Sequence, residues 1–211
     1  MIILTFESLT ICNFDKTKIN IMKKVIVLLA FIVANFAIEA QVKTPQASPK
    51  VLVNQTVGLT EIDLDYSRPS AKGRVIFGDL VPFGKVWRTG ANANTLISFS
   101  EDVMIDGKML PKGKYSLYTI PKADNWEVYF YKTTDNWGNP EEWKEADVAL
   151  KASAKPVMLN RNVETFSLGF GNVANDSADL EISWEKTMVP LKIEVPTQKM
   201  AIASITKALA G

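Results

Sequence analysis

Short alternating segments, repeated along the chain and separated by turn residues, are the feature that most restricts the fold. Ile62 to Tyr66 alternates strictly between apolar and polar residues, and Leu180 to Glu185 does the same, which is typical of half-buried strands. Glycine, proline, asparagine and aspartate separate about nine such segments, and nothing between them resembles a crossover helix. The pattern predicts an all-β fold, an antiparallel, jelly-roll-like β-sandwich of about nine strands.

The same pattern predicts the position of each strand. The segments are residues 50–57, 62–66, 95–100, 103–105, 108–110, 114–120, 126–132, 148–154, 163–171, 180–185 and 191–195, with the two shortest forming a single hairpin. Asp106-Gly107 between them favours a type I′ turn. Pro190 indicates that the last strand lies at a sheet edge. The polar segment 133–147 predicts a long loop or a brief helix.

The N-terminal residues predict export. Residues 22–40 combine Met22-Lys23-Lys24, an apolar run and small residues before Ala40, so we expect a signal peptide that is cleaved after Ala40. The run is shorter than the ~20 residues of a membrane helix, although a signal anchor is the alternative. We expect a periplasmic or secreted protein without stable membrane insertion after cleavage. Residues 1–21 lack this pattern, and we interpret them as a non-native upstream extension.

The sequence pattern also predicts the domain boundaries. We expect a linker at 41–49, a β-sandwich domain at 50–196 and a short C-terminal helical tail at 197–211.

The composition excludes several classes of functional site. The chain has no histidine, and its single cysteine is Cys12, so the mature protein has no imidazole base and no thiol nucleophile. We predict no cofactor and no metal site, although oxygen ligands for Ca²⁺ or Mg²⁺ remain open. Residues 41–211 carry 20 basic and 20 acidic residues, which argues against nucleic-acid binding. The oligomeric state is not predicted.

The segment from Tyr66 to Asn92 is the candidate site, because basic residues and glycines are concentrated in it without a strand or helix period. Converging guanidinium groups could bind a carboxylate, phosphate or sulfate. The predicted ligand-binding residues are Arg68, Lys72, Arg74, Trp87, Arg88, Asn92 and Tyr118. In the alternative, the arginines pair with Asp63, Asp65 or Asp79 and tie the loop to the sheet, and Trp87 only anchors the loop.

Other side chains allow different chemistry. An aromatic face that stacks on sugars could form, although aromatics in alternating strands are more often core residues; its members would be Tyr118, Trp126, Tyr129, Tyr131 and Trp137. Carboxylates for glycosidase chemistry are available without a distinctive motif, for example Asp63, Asp65, Asp124, Glu127, Glu141, Glu142 and Glu145. Ser67 or Ser70 near Lys72 is a weak candidate nucleophile.

Several linked motifs resemble one known family. They are residues 66–70 (YSRPS), 72–74 (KGR), 76–78 (IFG), 80–82 (LVP), 84–92 (GKVWRTGAN), 115–121 (YSLYTIP), 184–187 (WEKT) and 189–190 (VP). From about Ser48 to Val195 the chain is similar to the exported bacterial family catalogued as domain of unknown function 2911. The resemblance implies a compact, mostly β domain and no established activity. It also implies that longer relatives continue into a helical region like tetratricopeptide repeats, inside whose first helix this chain stops.

These observations favour one functional hypothesis and leave two others open. The first is a non-catalytic, exported binding module for an anionic small molecule, a glycan or an envelope partner, which would contact the basic loop. The second is a hydrolase that acts on envelope carbohydrate or a related ester. The third is a structural scaffold for periplasmic assembly.

Overall fold

The computed structural model describes residues 21, 23–27 and 44–210. The chain divides into two compact units, Met1–Thr44 and Pro45–Gly211. In the first unit, residues 21 and 23–27 are helical, while the predicted cleavage site, the rest of the signal peptide and residues 1–20 lie outside the described residues. No helix in the described part of the chain has the length and apolar character needed to cross a membrane.

The second unit consists of ten strands and one helix. They are β1 (Lys50–Val57), β2 (Thr60–Ser67), β3 (Thr95–Phe99), β4 (Val103–Ile105), β5 (Lys108–Leu110), β6 (Gly113–Ile120), β7 (Trp126–Tyr131), β8 (Val148–Ala154), β9 (Val157–Gly171), β10 (Ser177–Glu194) and α1 (Thr197–Ala210). One sheet has the order β1-β2-β3-β6-β7-β8, and the other has the order β5-β4-β10-β9. Both sheets are antiparallel, so the predicted all-β, sandwich-like fold is confirmed.

The core forms where the alternating residues of the two sheets meet. Ile62, Leu64 and Tyr66 of β2 are buried, and so are Ile182 and Trp184 of β10. They belong to one apolar cluster that contains residues of both sheets. Burying one large apolar side chain contributes about 1.5–3 kcal/mol. The apolar faces inferred from strict alternation are therefore the faces that pack together.

The β4–β5 hairpin has the predicted turn. Ile105 pairs with Lys108, and the two residues between them, Asp106 and Gly107, have φ angles of 52° and 70°. Positive φ at both central positions defines a type I′ turn, whose twist matches that of the flanking strands.

The prediction of two separate strands before the C-terminus is wrong. Residues 180–185 and 191–195 belong largely to the single strand β10, which pairs with β9 as far as Met188 and with β4 from Ile193. Because β10 lies between β4 and β9, Pro190 is not on an edge strand. It occupies the stretch where β10 changes partners, and a proline there removes no ladder hydrogen bond. A bulge around Glu185, whose φ is 51°, bends the strand.

Two connections between strands are much longer than the others. Residues 68–94 join β2 to β3, which are neighbours in the six-stranded sheet. Residues 132–147 join β7 to β8 and end in a 3-10 turn at Glu145–Asp147, in agreement with the predicted loop. We call them the central segment (68–94) and the second loop (132–147).

Tyr66 connects the two sheets through its hydroxyl group. This group donates a hydrogen bond of 2.9 Å to the Leu168 carbonyl oxygen of β9 and accepts one of 3.0 Å from the Leu168 N–H. The Tyr66 side chain is 3% exposed, so water cannot replace these bonds. Its ring packs edge-on against Phe166 at 5.8 Å.

Tyr66→Phe is expected to lower the free energy of unfolding by about 1–3 kcal/mol, because it leaves a buried N–H and a buried carbonyl oxygen with fewer partners. Urea denaturation would measure the change. Tyr115→Phe is the matched control, since the Tyr115 hydroxyl makes a single bond, to the Pro111 carbonyl oxygen. Equal losses in the two variants would contradict the role assigned to Tyr66.

Candidate functional site

The central segment is attached to both sheets. Ser70 forms a bridge with Thr165 of β9, and Trp87 forms one with Thr119 of β6. The second bridge consists of backbone N–O contacts of 2.8 and 2.9 Å. Arg68 adds a 2.9 Å bond from its Nε to the carbonyl oxygen of Phe166. A segment without regular secondary structure is thereby held in a defined position between the layers.

Trp87 anchors the segment in the core. Its side chain is 7% exposed, lies nearly parallel to Trp184 at 6.0 Å and meets Phe166 edge-on at 5.1 Å. The indole Nε1 donates to the carbonyl oxygen of Gly90 at 3.2 Å, so the same side chain also fixes the turn that follows it. Trp87 is therefore mostly a packing residue that presents one edge to the surface.

The turn after Trp87 contains unusual backbone angles. Thr89 is fully buried and has a φ of 53°, and Asn92 has a φ of 59°. Positive φ is a genuine outlier for a β-branched residue. Thr95 Oγ1 holds the turn by donating to the Thr89 carbonyl oxygen at 2.6 Å. At Gly90, whose φ is 155°, a Cβ would lie 2.9 Å from Thr95 Oγ1. Strain of this kind persists where the surroundings enforce it and is concentrated at functional sites.

Five of the seven predicted ligand-binding residues line one cleft. This basic cleft has a volume of about 490 Å³, and the five residues are Lys72, Arg74, Trp87, Arg88 and Asn92. Ala47, Ser48 and Trp184 also line it. The alternation in β10 predicted that Trp184 is buried, and residues 47 and 48 were assigned to a linker. No signal in the sequence indicated that these three residues would contribute to the cleft.

The arginines of the central segment do not pair with carboxylates. In the part of the chain that the structure describes, all salt bridges within 4.0 Å involve lysines. Asp65 pairs with Lys50 at 2.9 Å, and Asp63 accepts a bond from Asn54. Arg74 donates instead to the backbone carbonyl oxygens of Ala71 and Ser70, at 2.9 and 2.7 Å. No carboxylate within 4.0 Å therefore neutralises these arginines directly, whereas the Glu164 carboxylate accepts a hydrogen bond from the Lys72 backbone N–H at 2.8 Å.

Arg88 differs from the other two arginines. Its Nε is buried and has no hydrogen-bond partner, and no other buried side-chain nitrogen or oxygen of the described residues shares this property. Burial lowers the pKa of the guanidinium group, because desolvation disfavours the charged form. A buried donor without an acceptor costs about 1–3 kcal/mol. Arg88 Nε is thus the one polar atom of the cleft whose burial is not compensated within the protein.

Tyr118 and Arg68 do not line the basic cleft. The Tyr118 side chain is fully buried and lies beneath the second loop. Its hydroxyl donates to the Gly138 carbonyl oxygen at 3.2 Å and accepts from Asn136 Nδ2 at 3.3 Å. Burial raises the pKa of this phenol, which therefore remains protonated at neutral pH. Tyr118 positions the loop that covers the neighbouring surface.

A second cleft adjoins the first. This polar groove has a volume of about 660 Å³ and shares Ala47, Ser48 and Asn92 with the basic cleft. Its other lining residues include Ser67, Asn94, Asp135, Asn136 and Trp137. Of the aromatic residues considered for a sugar-binding face, Tyr118, Trp126, Tyr129 and Tyr131 are buried, whereas Trp137 is 81% exposed.

Among the candidate carboxylates, the surroundings of Glu127 are the best defined. No group of three or more His, Cys, Asp or Glu that could bind a metal occurs among the described residues. Glu127 accepts bonds from Lys122, Lys151 and Tyr129 at 2.9, 3.0 and 2.8 Å. The Lys122 bond above all lowers the pKa of Glu127 to about 2. Glu127 is therefore ionised at neutral pH and cannot act there as a general acid.

This pKa predicts how acid affects stability. Because the folded-state pKa of Glu127 lies below the ordinary value of 4.5, its stabilisation is complete above about pH 4.5 and is lost as the pH falls towards 2. We expect Glu127→Gln to flatten the loss of stability over this range, by about 1 kcal/mol after solvent screening. Denaturation at pH 7 and pH 3 would measure it. A variant whose stability has the same pH dependence as the wild type would contradict the stabilising role of the hydrogen bonds to Glu127.

The comparisons with known proteins give a family and no neighbour of known activity. A family model described as protein of unknown function (DUF2911) matches residues 48–193, a range that contains most of the residues lining both clefts and agrees with the resemblance noted in the sequence. No curated protein and no solved structure matches the chain. Since the match spans more than half of the sequence, the chain belongs to the DUF2911 family of proteins of unknown function.

Proposed function

We propose that this protein is an exported binding module that holds an anionic small molecule, or the anionic unit of a glycan, in the basic cleft. The observation that carries the proposal is the buried, unpartnered Nε of Arg88 in a cleft that also contains Lys72 and Arg74. An anion would supply the acceptor that the protein itself does not provide.

The geometry of a guanidinium group favours an oxyanion at this position. Nε–H and one Nη–H point in the same direction and match the two oxygens of a carboxylate or two oxygens of a phosphate. Arg74 is held by backbone carbonyl oxygens and contributes a fixed positive charge. Because the Arg88 Nε is shielded from water, an anion would reach it after the Arg88 side chain turns into the cleft, and the bond would then form in a partly desolvated site.

The rigidity of the cleft also supports binding. The turn that carries Arg88 and Asn92 is held by the Trp87 indole and by Thr95 Oγ1. Asn92 Nδ2 donates to the Ser48 carbonyl oxygen at 3.1 Å and to Ser67 Oγ at 3.3 Å. A ligand would therefore have little backbone to order on binding, which lowers the entropic cost of association.

Arg88→Met is expected to abolish anion binding without lowering the stability of the unliganded protein. Methionine fills a similar space and removes the uncompensated donor, and replacing a buried polar group by an apolar one of similar shape is close to neutral or stabilising. Isothermal titration of the full chain with acetate, glucuronate, phosphate and sulfate would measure binding, and thermal unfolding would measure stability. Arg161→Met, at an exposed position of β9, is the matched control and should bind as the wild type does.

Three results would contradict the proposal. One is the absence of binding of all four anions to the wild-type protein. Another is a large loss of stability in Arg88→Met together with unchanged anion binding, which would make Arg88 a structural residue and favour the scaffold hypothesis. The third is binding that persists in Arg88→Met with unchanged stability, which would place the anion elsewhere on the protein.

Export is proposed from the N-terminal sequence, in which a basic start, an apolar run and small residues precede Gln41. When the full chain is produced in a bacterium, we expect mass spectrometry of the protein from the cell envelope or the medium to find Gln41 at the N-terminus. A protein that retains residues 22–40 and fractionates with the membrane would instead indicate a signal anchor.

A further inference from the structure

Trp137 is exposed on a backbone that is held in place. Its side chain is 81% exposed, whereas Trp87, Trp126 and Trp184 are buried. Both neighbours of Trp137 are bonded to the buried Tyr118 hydroxyl, Asn136 through its Nδ2 and Gly138 through its carbonyl oxygen. One residue further on, Asn139 Nδ2 donates to the Val86 carbonyl oxygen at 2.9 Å. A large aromatic ring on an ordered loop offers a flat apolar face with a polar N–H at its edge, on which a ligand ring can pack.

Polar side chains lie beside Trp137, in a groove that apolar residues such as Ala93 and Leu96 also line. The polar groove presents amide, hydroxyl and carboxylate side chains, namely those of Ser67, Asn92, Asn94, Asp135 and Asn136. The hydrogen bonds of Asn92 and Asn94 to described residues use Nδ2 as the donor, so each Oδ1 remains available as an acceptor. An aromatic face beside short polar side chains suits a sugar ring, whose C–H groups pack on the indole while its hydroxyl groups form hydrogen bonds.

The polar groove and the basic cleft lie next to each other. They share Ala47, Ser48 and Asn92. Gly138, next to Trp137, lies close to Arg88 and Asn92. A Cβ placed on Gly138 would be 3.8 Å from Arg88 Cδ and 4.0 Å from the Asn92 carbonyl oxygen. A ligand of two or three linked rings could therefore contact Arg88 and Trp137 at the same time.

From this arrangement we infer that the ligand is an acidic oligosaccharide, with a carboxylate-bearing ring in the basic cleft and an adjoining ring stacked on Trp137. The inference rests on the proposed anion-binding function and extends it to a class of ligand. The Nε and Nη2 atoms of Arg74 already donate to backbone carbonyl oxygens. We therefore assign the carboxylate to the Arg88 fork, whose two N–H groups match its two oxygens.

Titration of the full chain with paired uronate ligands tests this inference. The probes are the monomers and trimers of glucuronate, galacturonate, mannuronate and guluronate, with neutral glucose, galactose and mannose trimers as ligand controls. We expect at least one acidic trimer to bind about tenfold more tightly than its monomer, equivalent to about 1.4 kcal/mol. The neutral trimers should bind much more weakly. Acrylamide quenching of tryptophan fluorescence should decrease when that trimer binds, because Trp137 becomes covered.

Trp137→Ala should remove the advantage of the trimer over the monomer. Phe83→Ala is the control, since Phe83 is an exposed aromatic residue that lines neither cleft. An acidic trimer that binds no better than its monomer would overturn the inference, as would an advantage that persists in Trp137→Ala or neutral trimers that bind equally well. If monomers bind and Arg88→Met abolishes that binding, the proposed function stands even when the inference fails. If no uronate and no simple anion binds, both fail.

Discussion

The packing of Trp87 against Trp184 is the contact on which the rest of the site depends. Trp87 belongs to the central segment, Trp184 to the four-stranded sheet, and Trp126 of the six-stranded sheet meets Trp87 edge-on at 6.5 Å. A buried tryptophan removes about 150–250 Å² from water, or about 4–6 kcal/mol as an upper figure. The strained Thr89 and the unpartnered Arg88 donor each cost about 1–3 kcal/mol. Packing on this scale is sufficient to hold both in place.

The three arginines of the central segment have different roles, because the backbone around each of them offers different hydrogen-bond acceptors. Arg68 donates to the Phe166 carbonyl oxygen of β9, and Arg74 donates to the carbonyl oxygens of Ala71 and Ser70 within the loop. Their charges stabilise an irregular chain that has no ladder of its own. Arg88 follows Trp87 at the β6 bridge, and its own carbonyl oxygen already accepts a bond from the Thr95 N–H at 3.4 Å. No described carbonyl or carboxylate oxygen accepts from its Nε, so its free donor is a consequence of where Trp87 is anchored.

Most of the fold was predictable, because strand alternation reports burial directly. Ile62, Leu64 and Trp184 face the core for this reason. The continuity of β10 was not predictable, since a proline and a bulge at Glu185 interrupt its period without ending the strand. At the site, the concentration of basic residues identified the central segment. The sequence could not show that the Nε of Arg68 has a hydrogen-bond acceptor whereas that of Arg88 has none. The acceptor of Arg68 is the carbonyl oxygen of Phe166, which lies 98 residues away in the sequence. The sequence predicted that Tyr118 contacts the ligand, whereas its hydroxyl group donates a hydrogen bond to the second loop.

The sequence predicted one site, whereas the structure has two adjoining clefts, and Asn92 lies where they meet. Its φ of 59°, which asparagine tolerates better than most residues, turns the chain so that its amide reaches the Ser48 carbonyl oxygen and Ser67 Oγ. The short segment before β1 thereby becomes a wall common to both clefts. The second loop, which Tyr118 holds from below, lines the polar groove. Because hydrogen bonds to the Ser67 and Tyr118 hydroxyls hold these segments, binding would require desolvation of Trp137 and of the ligand more than ordering of loops, and affinity would then depend on how well the contacts replace this water.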